Sequence, residues 1–142
     1  VALVLKKDLF TPSKKQPVYY SDIDAWFAPS YGLRDVGVYE NVNAVKNSIR
    51  NIVLTNRGER FFNKEFGCDV RKMLFENADD STASVIKSYI ETAIENFEPR
   101  AKILDIIVSP NVDLNAYTIT LVFTTINSPD PQTLDLILTK VR

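Results

Sequence analysis

Four carboxylates, Glu59, Glu65, Asp69 and Glu76, crowd one short stretch of the chain, and two carboxyl groups are what a glycoside hydrolase needs. One would act as the acid and the other as base or nucleophile, so a wall-degrading hydrolase is the enzymatic class these residues would serve. Their setting argues against it. Each lies among arginines and lysines in a turn, where solvated salt bridging is the default, and no sugar-binding cleft or separated acid and base pair is recognisable. Histidine is absent, which removes the commonest general base and the commonest zinc ligand. Cys68 stands alone, so neither a disulfide nor a multi-cysteine metal site forms within the chain. With no imidazole to activate it, Cys68 beside Gly67 reads as a small semi-buried residue and not a nucleophile. No catalytic residue, metal or cofactor is expected.

The 142 residues, 45% of them hydrophobic, suffice for one core and are too few to expect two. Seventeen basic residues stand against eighteen acidic ones, so bulk charge offers no attraction for nucleic acid or an anionic membrane. The longest apolar run, residues 1–5, is far short of the roughly 20 residues that span a bilayer. Lys6 and Lys7 follow that run, the reverse of the order in a secretory signal.

The elements that must position these side chains can be taken in order. Residues 1–40 read as an extended arm with no helical period, yet they hold the only Trp and four of the six Tyr residues. Tyr19, Tyr20, Trp26 and Phe27 either cover the domain's own core or anchor in another subunit. Residues 41–142 read as a single α+β domain. Val42, Val45, Ile49, Ile52 and Val53 recur at helical spacing, with Lys46, Asn47, Arg50 and Asn51 opposite, Asn41 as N-cap and Gly58 as stop. A charged turn (Arg57, Gly58, Glu59, Arg60) and the pair Phe61 and Phe62 follow. Asp69 is placed to cap a short second helix bearing Val70, Met73 and Leu74. Asp80 or Ser81 is placed to cap a third, with Ile86, Ile90, Ala93, Ile94 and Phe97 inward and a Lys87–Glu91 pair on its exposed face. Pro99 ends that helix near Phe97.

Beyond Arg100 the period becomes two. Residues 102–109, 117–124 and 134–139 read as strands, joined by turn-rich connections over 110–115 and 127–131. An antiparallel three-stranded meander packed on about three helices follows, with two open edges.

The block NSIRNIVLTNRGERFFNKEFGCDVRKMLFE at residues 47–76, and IENFEPRAKI at 94–103, resemble the phage baseplate wedge family that initiates the contractile tail sheath. Relatives of that family include a type VI secretion baseplate subunit historically labelled lysozyme-like. The resemblance extends in weaker form from Tyr20-Ser21-Asp22 to the last strands. One departure is Phe61 and Phe62, where many relatives have proline after the Glu-Arg of the turn.

The resemblance implies a late structural virion protein of the tail baseplate, assembled in the host cytoplasm and repeated six-fold near the tail tube. Its partners would be wedge subunits, the sheath protein and tube-proximal proteins, with no nucleic acid or membrane. Glu98, Pro99 and Arg100 would bind the helical core bundle of the wedge, with Glu59 and Arg60 sharing that contact or bracing the corner. Pairing of Glu98 and Arg100 within the domain is the other reading. The last strand, residues 134–141, would receive a sheath strand by β-augmentation, with Leu134, Leu136, Leu138 and Lys140 in the contact.

Overall fold

The computed structural model describes residues 17–23, 37–111, 114 and 116–139. The expectations for Trp26, Phe27 and Lys140 lie outside these residues.

Helix α1 (Val42–Leu54) buries Ala44, Val45, Ile49, Ile52 and Val53 on one stripe, as their spacing dictates. It starts at Asn41, whose φ of 50° is a left-handed value that Asn tolerates better than most residues. The Asn41 side chain does not cap the helix. At the other end Thr55 leaves in an extended conformation, its hydroxyl donating to the Asn51 carbonyl at 2.6 Å.

A tied loop connects α1 to the single-turn helix α2 (Val70–Met73). Cys68 N donates to Thr55 O at 2.8 Å and Gly58 N to Lys64 O at 2.9 Å, so the loop closes on itself at two levels. Gly67 sits at a φ of +115°, and a Cβ there would lie 2.4 Å from the Thr55 carbonyl oxygen. Only glycine lets the returning chain approach that closely.

Helix α3 (Asp80–Phe97) begins one residue earlier than expected: Asp79 is the N-cap, its carboxylate accepting from Thr82 N at 2.7 Å. Ala83, Ile86, Ile90, Ala93 and Ile94 face the core. Lys87 reaches across to Asp105 at 3.4 Å instead of pairing along its own helix with Glu91.

Strands β3 (Ala101–Asn111), β4 (Ala116–Thr125) and β5 (Ser128–Thr139) form an antiparallel meander in the order β3-β4-β5. A bulge at Leu104 shifts the register between Ile103 and Asp105, which lets Ile103 before it and Ile106 after it both face the helices. Ile106, Tyr117, Ile119, Leu121, Phe123, Leu134, Leu136 and Leu138 form the inner face and pack on α1 and α3 in one core. The β4–β5 connection is only Ile126 and Asn127, so the run expected as a turn over 127–131 belongs largely to β5. Pro129 and Pro131 signalled a turn; an edge strand accepts them because its outer donors need no partner.

A second, two-stranded ribbon precedes α1. β1 (Ser21–Ile23) pairs antiparallel with β2 (Val38–Glu40), so part of the expected arm is ordered sheet lying against α1.

The two loop glycines should separate in a melt. Gly58 has a φ of +85° but open space around its Cβ position, so Gly58→Ala should cost about 1 kcal/mol. Gly67→Ala adds the backbone clash and should cost about 3 kcal/mol, lowering Tm by roughly 10 °C. Equal melting points would remove the close approach as the reason for Gly67.

Candidate functional site

Pro99 cannot continue α3, so the chain turns through Glu98, Pro99 and Arg100 into β3. Glu98 is 2% exposed, and a carboxylate so buried must be both paired and hydrogen-bonded. Arg100 does both: Nε donates to Oε1 at 2.5 Å and Nη2 to Oε2 at 2.7 Å, a side-on bidentate fork. The Ser48 hydroxyl of α1 donates to the same carboxylate. Burial by itself raises the Glu98 pKa, but the guanidinium and the hydroxyl outweigh it and hold the carboxyl below its usual range. Arg100 keeps 35% of its side chain exposed, and its Nη1 donors take no part in the fork.

The segment before α1 closes over this corner. The Arg100 guanidinium carbon lies 5.0 Å from the centre of the Tyr20 ring. Asn41 Oδ1 accepts from Tyr19 N at 2.8 Å, Asn41 Nδ2 donates to Pro17 O at 3.1 Å, and Asn41 N donates to Tyr20 O at 2.8 Å. Asn47, assigned by sequence to the polar face of α1, is instead 9% exposed and donates to Asp22 Oδ2 at 2.8 Å. Ser48, Asn47, Asn41 and Tyr20 are thus parts of the corner that helical periodicity missed. Asn41 just before α1 and the polar Asn47 among its apolar residues were the available signal.

The charged turn stands apart from this pair. Arg57 and Lys72 flank Asp69 at 4.0 Å and 3.0 Å, and Glu59 Oε2 accepts from Asn56 N at 2.7 Å. The Arg60 guanidinium lies 3.9 Å over the Phe66 ring, which in turn meets Phe97 at 5.1 Å. The turn is therefore coupled to the end of α3 through an aromatic stack and not through Glu98 or Arg100. Phe61 and Phe62 project from it, 92% and 106% exposed. Cys68 is 1% exposed, and burial pushes its thiol up to about 11, so it carries no thiolate at neutral pH.

At the far side of the sheet, β5 has no neighbouring strand beyond it among the described residues. Backbone groups along an antiparallel strand alternate sides. Ile126 N donates to Arg100 O at 3.2 Å, which directs the even residues of β4 towards β3 and its odd ones towards β5. Thr133, Ile137 and Thr139 stand opposite Val122, Thr118 and Ala116, and Asp135 opposite Thr120, so these four direct their N–H and C=O groups outward. Leu134, Leu136 and Leu138 are 5–7% exposed and belong to the core. On β5 it is the backbone edge that faces outward, while these leucine side chains face the core.

Two grooves among the described residues have no carboxylate in their lining. The larger, about 790 Å³, lies between β5 and the α2 region; the smaller lies beside Tyr20, Asn41 and Thr125. No group of three His, Cys, Asp or Glu side chains that could hold a metal occurs among the described residues.

Residues 40–130 match the family described as baseplate wedge protein gp25. The chain belongs to that family. Baseplate wedge protein gp25 of Enterobacteria phage T4 is 37% identical over 111 residues, covering 78% of this chain and 83% of the phage protein. A Geobacter sulfurreducens crystal structure with the provisional description tail lysozyme superposes with a TM-score of 0.63 at 24% identity, over 69% of this chain and 89% of that one. A chain of the six-fold symmetrised anti-feeding prophage baseplate gives 0.59 at 22% identity, over 84% and 85%. A chain of the postcontracted R2 pyocin baseplate gives 0.53 at 16% identity, over 86% and 100%. At these identities the three structures establish a shared fold. The span matched to the gp25 family takes in α1, the tied loop, α3, the Glu-Pro-Arg corner and the start of β5.

The corner should be visible in the acid limb of stability. The folded pKa of Glu98 lies below its unfolded value. Its contribution is therefore fully present above the unfolded pKa of about 4.3 and is lost as pH falls through the folded one. Glu98→Gln should be about 2 kcal/mol less stable at neutral pH and should show a flatter decline on acidification. Urea midpoints across the acid range check this; parallel profiles would rule out the role.

Proposed function

We propose that this chain is a structural, non-enzymatic wedge subunit of a contractile-tail baseplate. Its Glu98-Pro99-Arg100 corner attaches to the helical core bundle of the wedge, and its β5 edge templates the first ring of tail sheath by strand addition. The open β5 edge carries the reading: four consecutive outward-directed backbone positions, Thr133, Asp135, Ile137 and Thr139, lie along a strand whose side chains are already locked in register. Pro129 and Pro131 withhold donors from the first part of β5, so pairing is confined to its second part. Six copies about the tube would multiply an individually modest contact.

The corner suits attachment because its geometry is set before any partner arrives. Pro99 fixes the backbone, Glu98 fixes the guanidinium plane, and the Nη1 donors remain for a partner carboxylate. Two of the four carboxylates that a hydrolase would draw on serve structure: Glu59 accepts from the loop backbone and Asp69 sits between Arg57 and Lys72.

Because Arg100 neutralises a buried carboxylate, Arg100→Ala would destabilise the domain by about 2–3 kcal/mol and confound the assay. Arg100→Lys keeps the charge and loses the fork. It should fold with a small drop in Tm and enter wedges poorly in an assembly assay; normal incorporation would exclude the corner as the attachment point. At the edge, Ile137 N is not spent on β4, so Ile137→Pro should cost only about 1 kcal/mol in a melt while abolishing sheath initiation on assembled baseplates. Sheath growth from the proline variant would exclude β5 as the template.

A further inference from the structure

On the β5 side a groove opens between the end of the sheet and the helical layer. The groove of about 790 Å³ lies there, lined by Leu54 at the end of α1, by Leu74 and Phe75 after α2, and by Leu138 of β5. Leu54 is 38% exposed and Phe75 66%. Arg71 and Lys72 are the charged residues of the lining. Lys72 is paired with Asp69 at 3.0 Å, whereas Arg71 enters no ion pair among the described residues.

A strand added at β5 would run about 4.8 Å beyond it, with alternate side chains on opposite faces. One row would join the outer face beside Thr133, Asp135 and Ile137. The other would point towards α1 and α2, into the groove. The groove meets β5 at Ile137, Leu138 and Thr139, so about two inward side chains of a strand paired there fall beside it.

We infer that this groove selects the added strand by sequence: it takes an extended partner segment whose inward row is apolar and includes one carboxylate facing Arg71. The inference rests on the strand-addition reading and adds a side-chain code to it. Apolar inward residues cover Leu54, Leu74 and Phe75. An inward carboxylate meets the Arg71 fork, whereas an inward lysine or arginine is held against Arg71 and Lys72 with no acidic group in the lining to receive it. Backbone pairing by itself gives affinity without choice; the groove supplies the choice.

The test uses the full chain and two eight-residue synthetic peptides with threonine in the outward row and valine in the inward row. One inward valine is replaced by glutamate in the first peptide and by lysine in the second. Fluorescence titration gives the affinities, and amide exchange followed by NMR reports on Thr133, Asp135, Ile137 and Thr139. The glutamate peptide should bind about tenfold tighter than the lysine peptide and protect those four amides, and Arg71→Glu should reverse the preference. If both peptides protect the four amides with equal affinity, or Arg71→Glu leaves their ratio unchanged, the groove code is overturned while strand addition stands. If neither peptide binds, strand addition fails and the code with it. Peptide binding that leaves the four amides unprotected, or chain dimerisation that the peptide disperses, would assign the groove another occupant and overturn the inference.

Discussion

A carboxylate buried at the junction of helix and sheet is the constraint that the surrounding structure meets. Glu98 is 2% exposed at the point where α3 ends and β3 begins, and an unpaired charge there would be strongly destabilising. Pro99 keeps the intervening backbone rigid, Arg100 folds back to pair bidentately, and Ser48 brings α1 to the same carboxylate. Tyr20 then covers the guanidinium, and Asp22 accepts from Asn47. Helices, sheet and the segment before α1 are thus referred to one side chain. Replacing such a pair by apolar residues is often neutral or favourable for stability, so its value lies in the orientation it imposes. A guanidinium held on one edge by Glu98 presents its other edge in a fixed direction.

The sheet meets a different constraint. A three-stranded meander leaves two edges, and an unprotected edge invites pairing with any exposed strand. On β5 the first part is guarded by Pro129 and Pro131 and the remainder is left with outward backbone groups. Only Ile137 places a large apolar side chain on the outer face of β5, 70% exposed, with Thr133 and Asp135 as its neighbours in that row. An edge kept open but polar favours a partner that supplies backbone hydrogen bonds over non-specific apolar association.

Much of this was legible because periodicity and punctuation agree. The stripes of α1 and α3, the stop at Pro99 and the alternation of β4 and of the second half of β5 follow from burial and from what proline cannot do. What was missed are interactions between segments distant in sequence. Asn47 sits at a helical position that faces solvent unless another segment arrives, and the arrival of Asp22 cannot be read from α1. Asp79 was displaced as N-cap from Asp80 by one residue because all the neighbouring polar residues are competent caps. The short run 128–131 has the composition of a turn, and its place in β5 depends on β5 being an edge, a property of topology and not of residues. Similarly, the turn at Arg57, Glu59 and Arg60 matches a salt-bridge partner of Glu98 by charge alone. The Phe66–Phe97 contact decides otherwise by placing an aromatic ring, not a carboxylate, beneath Arg60.

The lengths of the strands connect the two surfaces. β3, β4 and β5 have 11, 10 and 12 residues, about twice the usual strand. β4 pairs along nearly its whole length with both neighbours, each ladder carrying one register shift, so a displacement of β5 is passed through two ladders to β3 and hence towards Arg100 at its root. The 18 residues of α3 pack along β3 and return to the same corner at Phe97 and Glu98. A shorter sheet would still bury a core, but it would join the corner and the β5 edge through fewer hydrogen bonds. The cooperative loss of a ladder requires many bonds to yield together, whereas a short strand frays from its end. The extended meander therefore makes the corner and the edge parts of one stiff element.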